Sequence, residues 1–107
     1  MRVIELNAKN WRTWRNFYDA LITELGAPKG HGRNLNALVD SMVWGGMNAV
    51  EAPYTIRILG ADKLSRDLIA EIDEAKQALA AACGERRALG RGITVTVHSS
   101  TPNESRN

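Results

Sequence analysis

Few residues in this 107-residue chain are placed to do chemistry, and the best placed is Asp40. It lies in the run Gly32-Arg33-Asn34-Leu35-Asn36-Ala37-Leu38-Val39-Asp40-Ser41-Met42. Leu35, Leu38, Val39 and Met42 recur at i, i+3, i+4 and i+7, the spacing of a core-facing stripe on a 3.6-residue helix. Asn36 and Asp40 lie four apart and so share one face, about a third of a turn from that stripe. Asn34 has the side chain an N-cap needs. The run is therefore expected to form a helix of two to three turns that rests on the core and shows solvent an acid with two amides nearby. The segment holds no catalytic partner for Asp40. Taken alone, Asp40 is an exposed helical acid, paired with Arg33 or with nothing, and worth under about 1 kcal/mol.

A second cluster is basic: Arg86, Arg87 and Arg91, with Gly90 and Gly92 beside them. Three arginines near a helix end could contact phosphates. They would serve equally well against the negative end of the helix dipole. Glu85, Asp73 and Glu74 dilute the patch, and no exposed aromatics are expected to interleave with it.

Enzyme signatures are missing. His31 and His98 have no metal-ligand spacing to another His, Cys or acid on a shared face. The run Gly84 to Arg91 has the wrong spacing for a phosphate loop, and no Lys-Ser/Thr follows it. Asp73 and Glu74 are adjacent, so on a helix they point about 100° apart and cannot act as an acid/base pair. There is no Gly-x-Ser-x-Gly elbow. The chain is expected to be no enzyme and to use no cofactor or metal. Cys83 is the single cysteine, so no internal disulfide can form, and its place after an alanine run marks it as a small core residue. The net charge of +2 permits weak attraction to nucleic acid or an acidic partner and demands neither.

The elements that must position these residues can be read along the chain. Arg2 to Leu6 and Tyr54 to Leu59 read as strands, as does Ile93 to Val97. Asn10 is expected to cap a helix whose stripe is Trp11, Trp14, Tyr18, Leu21, Ile22 and Leu25, ended by Gly26 and Pro28. Both tryptophans are assigned to core packing, and Arg15 with Asp19 to a solvated i,i+4 pair. After Met42, Val43 to Asn48 reads as a glycine-broken loop in which Trp44 either folds onto the core or stands out as an interface anchor. From about Asp62, Leu64, Leu68, Ile72, Ala75, Leu79 and Ala82 form one long helical stripe. At Gly84 this helix ends, or kinks and continues to Leu89. Helical crossovers between successive strands predict parallel pairing. The fold class is α/β, a three-stranded parallel sheet with connecting helices. One domain spans 1–98, and the polar stretch 99–107 is expected to be a disordered tail. No apolar run is long enough to span a membrane. The N-terminus puts Glu5 where a signal peptide would carry its apolar stretch, so a cytoplasmic location is expected.

The run His31-Gly32-Arg33-Asn34-Leu35-Asn36-Ala37-Leu38-Val39-Asp40 resembles the barstar family, small intracellular inhibitors of secreted ribonucleases. The family pattern there is an aromatic or His, Gly, any residue, Asn-Leu-Asp/Asn-Ala-Leu, a variable residue and Asp. Looser likeness continues through Gly45-Gly46 and Pro53-Tyr54-Thr55-Ile56-Arg57-Ile58. The resemblance implies the same layered α/β architecture. It also implies that Asp40 enters the phosphate pocket of a ribonuclease, its carboxylate standing in for the substrate phosphate against catalytic arginines and a histidine. Asn36, Asn34, Val39, His31, Gly30, Trp44 and Glu85 would complete the partner surface, Glu85 by ungapped count from the third strand. The departures are specific. Gly30 stands where the prototype has a tyrosine, Val39 where it has a tryptophan, and Asn36 where it has a second acid. Barstar is strongly acidic and this chain is not, so its expected partner is a nuclease other than barnase, or a nuclease toxin for which it is the immunity protein. Two alternatives stand beside this: a nucleic-acid-binding module using Arg86, Arg87 and Arg91, or a barstar-like fold with a non-nuclease partner.

Overall fold

Alternating apolar residues build the sheet. In the computed structural model, which describes residues 2–99, the strands are β1 (Arg2–Asn7), β2 (Tyr54–Leu59) and β3 (Val95–Ser99). They lie side by side in that order and all run parallel, with Ile4 opposite Ile56 and Ile56 opposite Val97. Parallel neighbours need crossovers. The first carries α1 (Trp14–Leu25), α2 (Leu35–Val39) and a π-helical turn at Asp40–Trp44 that continues α2. The second carries a 3-10 turn at Ala61–Lys63 and then α3 (Arg66–Ala88).

Because the strands follow one another in sequence order, two right-handed crossovers must place their helices on the same side. The burial pattern agrees: Ile4, Leu6, Tyr54, Ile56, Ile58 and Val95 are buried, while Glu5, Arg57, Thr96 and His98 on the opposite face are exposed. Parallel sheets are usually covered on both faces. Among the described residues no element covers the second face, which carries polar cross-strand pairs instead. Arg57 pairs with the directly opposed Glu5 at 3.0 Å, and the hydroxyls of Thr55 and Thr96 meet at 2.9 Å.

The covered face holds the core. Phe17, Tyr18, Leu21 and Leu25 reach it from α1, Leu38, Met42 and Val43 from α2 and its π turn, and Leu68, Ile72, Ala75, Leu79, Ala82 and Cys83 from α3. Cys83 is buried there, its sulfur 3.8 Å from the carbonyl oxygen of Val95.

Several boundaries differ from the sequence expectation. The helix expected after Asn10 begins only at Trp14, with Thr13 as its N-cap. The backbone N–H groups of Arg12 and Thr13 both donate to the side chain of Asn16, at 2.7 and 3.0 Å, which fixes the start one turn later. The stripe keeps its spacing, but Trp14 stands as the first residue of the helix. Trp11 packs half-buried against Phe17, but Trp14 is 42% exposed and meets Tyr18 edge-on, so it is not the core residue expected. Asp19 pairs with Arg33 across the chain, whereas Arg15 lies over the Trp14 ring. Helix α3 runs through Gly84 to Ala88, and β3 starts two residues later than expected, at Val95. Its last residue, Ser99, pairs with Ile58 and thus belongs to the strand and not to the expected tail; the remainder of that tail, 100–107, lies outside the described residues.

Candidate binding surface around Asp40

The run that carries Asp40 forms α2 and its π turn, one continuous ten-residue helical unit. Asn34 caps it as expected, its side-chain oxygen accepting from the N–H of Ala37 at 2.8 Å. A Cβ at Gly32 would sit 2.7 Å from the Asn34 amide nitrogen, so a larger residue there would have to displace the capping side chain. Leu38 and Met42 are fully buried, Leu35 and Val39 half-buried against the same core, and Asn36 and Asp40 exposed. Val39 therefore packs on the core more than it offers itself to a partner.

Of the loop expected from Val43 to Asn48, the first two residues are helical instead, Val43 being wholly buried, and the non-helical segment begins at Gly45. The N–H of Gly45 donates to the carbonyl of Asp40 at 2.9 Å, an i+5 bond. Such π turns are rare and occur mostly as single-turn bulges inside α-helices. The end of a helix leaves carbonyls without partners, and here long-range side chains supply them. Asn48 donates its amide to the carbonyl of Ser41 at 3.4 Å. Arg86, from α3, donates through Nη1 to the carbonyl of Val43 at 2.7 Å and through Nε to that of Arg91 at 2.8 Å. Its guanidinium also lies over the Trp44 ring, 5.7 Å from the centroid.

Two further contacts brace the unit. The Nδ1 of His31 lies 2.7 Å from the carbonyl of Gly32, an acceptor only, so Nδ1 carries the proton. In the neutral ring Nε2 then accepts from the hydroxyl of Ser41, 2.9 Å away. Past the turn, the Glu51 carboxylate accepts from the N–H groups of Gly46 and Asn48 at 2.7 and 3.2 Å, folding residues 45–51 back on themselves.

The Asp40 carboxylate takes no part in this bracing. Among the described residues it makes no ion pair or side-chain hydrogen bond, since Arg33, the candidate partner, is held by Asp19. It stands on the rim of an open hollow of about 280 Å³, with Lys29, Gly30, His31, Ala37 and Met47 around it. Met47 is 48% exposed and Trp44 38% exposed, so Trp44 is half folded back onto Arg86 and half presented to solvent. Glu85 is exposed on the last turns of α3, next to Arg86. From Asn34 to Glu51 the chain has two acids, Asp40 and Glu51, and no lysine or arginine, but Lys29 lines the same hollow as Asp40 and Arg86 lies over Trp44, so the surface carries both signs of charge.

Sequence reasoning missed the residues that hold the surface. Ser41, Asn48, Glu51 and Arg86 act through contacts that only the fold creates, although the spacing of Asn48 and Glu51 resembles that of a local turn. Among the described residues there is no group of three His, Cys, Asp or Glu that could hold a metal ion, and no helix long and apolar enough to cross a membrane.

Comparison with known proteins gives this geometry its family. The model of the family described as Barstar (barnase inhibitor) matches residues 1–98. The chain belongs to the barstar family. Members of this family are inhibitors rather than enzymes, and the family implies a ribonuclease as the general kind of partner. No curated protein matches the chain individually.

Proposed function

We propose that this barstar-family protein inhibits a secreted ribonuclease, or serves as immunity protein to a nuclease toxin, by inserting the Asp40 carboxylate among the cationic groups that bind the substrate phosphate. The observation that carries this reading is an exposed carboxylate without an internal partner among the described residues, on a helical unit held at its Asn34 cap, at Ser41 and at the carbonyl of Val43. Such an acid is desolvated only on binding, and a positioned carboxylate can pair bidentately with arginine. Asn36, Asn34, His31, Gly30, Trp44 and Glu85 form the rest of the proposed contact, with Val39 contributing at its edge. A protein acting this way protects the cell that makes the nuclease and works in its cytoplasm.

The nucleic-acid reading is weaker for a specific reason. Arg86, the centre of its arginine cluster, already spends its guanidinium on Val43, Arg91 and Trp44. A panel of secreted bacterial ribonucleases tests the proposal directly. RNA cleavage by at least one should be blocked at equimolar protein, and Asp40→Ala should relieve the block. No inhibition anywhere in the panel, or inhibition that Asp40→Ala leaves intact, would overturn it.

A further inference from the structure

We propose that Arg86 is the positioning residue of this surface, fixing the π turn and the Trp44 ring so that Asp40 and Trp44 meet a partner in one rigid arrangement; this rests on the inhibitor reading above. Three observations point to it together. The guanidinium reaches across from α3 to a carbonyl at the end of the π turn, forty-three residues away in sequence. Its Nε is held by the carbonyl of Arg91, so the plane of the group is set from both sides. In that plane it lies over the exposed Trp44 indole. A planar fork suits this task, and an ammonium does not, because lysine is a point charge that cannot span two carbonyls while stacking on a ring. Arg86 is half-buried and touches no partner in this scheme; it acts through Trp44 and the turn.

The placement also has a physical need. The i+5 bond from Gly45 to Asp40 closes a turn that ordinary helix geometry does not favour. Without a donor at Val43 the end of that turn would lose a side-chain partner, and the following loop, with Gly45 and Gly46 both at positive φ, would be held by the Glu51 and Asn48 contacts alone. Preorganisation of this kind raises affinity by removing the cost of ordering the surface at the moment of binding.

The test has a partner-free arm and a binding arm. In the free protein, Arg86→Ala and Arg86→Lys should both speed hydrogen exchange of the Gly45 amide at least about tenfold, while the Ile56 amide in the central strand keeps its protection. Arg87→Ala, a neighbouring exposed arginine, should change neither. Unaltered Gly45 exchange in Arg86→Ala would overturn the proposal. In the binding arm, Arg86→Ala, Trp44→Ala and the double variant are titrated against the ribonuclease that the wild type inhibits. Arg86→Ala should weaken binding at least about tenfold, and the double variant should lose clearly less than the two single losses combined, because part of what Arg86 does runs through Trp44. Full affinity in Arg86→Ala while Asp40→Ala binds weakly would make Arg86 a structural residue only. Additive losses would overturn the route through Trp44. An unweakened Asp40→Ala complex would instead sink the inhibitor reading, and this inference with it, whatever Arg86→Ala does.

Discussion

Asp40 and Arg86 have opposite situations, and the difference explains why one was legible and the other was not. The helical spacing of Leu35, Leu38, Val39 and Met42 fixes which side of its helix is buried, so the exposure of Asp40 follows from local sequence alone. The Asn34 cap follows in the same way. Arg86 reads locally as one of three surface arginines, and nothing near it in sequence reveals a carbonyl forty-three residues away. Trp14 differs for a related reason: its spacing fits the stripe, but it is the first residue of α1, and spacing alone does not tell how far along the stripe the core extends. The buried tyrosines make a separate prediction. Burial above all, then the hydrogen bond and charge of Glu71, raises the pKa of Tyr18; burial and then the charge of Glu51 raises that of Tyr54. Both are raised in the folded state above the ordinary tyrosine value of about 10. Their stabilising contribution is therefore complete below about pH 10 and is lost as pH rises further, by up to about 1.4 kcal/mol per pH unit for each. In an alkaline titration, tyrosinate absorbance from these two residues should appear together with unfolding. Ionisation of both in a chain with native circular dichroism would contradict their burial.

At the scale of elements, three strands and the long stripes of α1 and α3 were readable because alternation and 3.6-residue spacing are periodic signals. The π turn was not, because one extra residue within a helical turn leaves no compositional mark; its support comes from Ser41, Asn48 and Arg86 after the chain has folded. Gly84 shows the limit of reading glycine as punctuation. It sits inside α3, and a Cβ added there would meet nothing within 4 Å. Gly84→Ala should thus stabilise the protein by about 0.5–1 kcal/mol, through the lower entropy of the unfolded chain and the better helix propensity of alanine. Chemical denaturation will check this, and a lower midpoint for Gly84→Ala would mean that α3 needs its glycine. Gly26 is the contrasting case. It ends α1 at φ 63°, and an added Cβ would fall 2.7 Å from the Cβ of Ala49, so conformation and space both require glycine there.

For the molecule as a whole, the alternation of strands and helices was enough to give a parallel sheet, and the sequential strand order then forces both crossovers onto one face. The open polar face is a consequence of that order which the strand patterns, read one at a time, do not display. Charge is also a property at this scale. Lys29 and Arg86 flank Asp40 and Trp44, and a net charge of +2 provides no long-range negative field to draw in a basic enzyme. Association with the target ribonuclease should therefore proceed near the unsteered range of about 10⁵–10⁶ M⁻¹s⁻¹ and change less than about tenfold between low and high salt. Stopped-flow rates across a salt series will show it; a steep fall with salt would mean that local charge steers the encounter after all. The most direct measurement of the central claim is calorimetric titration of the inhibited ribonuclease with wild type and Asp40→Ala at one salt concentration. The carboxylate is exposed and unpaired within its own chain, so Asp40→Ala should keep its folding stability within about 1 kcal/mol. It should nevertheless bind more weakly by over about 2 kcal/mol, roughly thirtyfold in Kd. Equal affinity for the two proteins, both folded, would contradict the account.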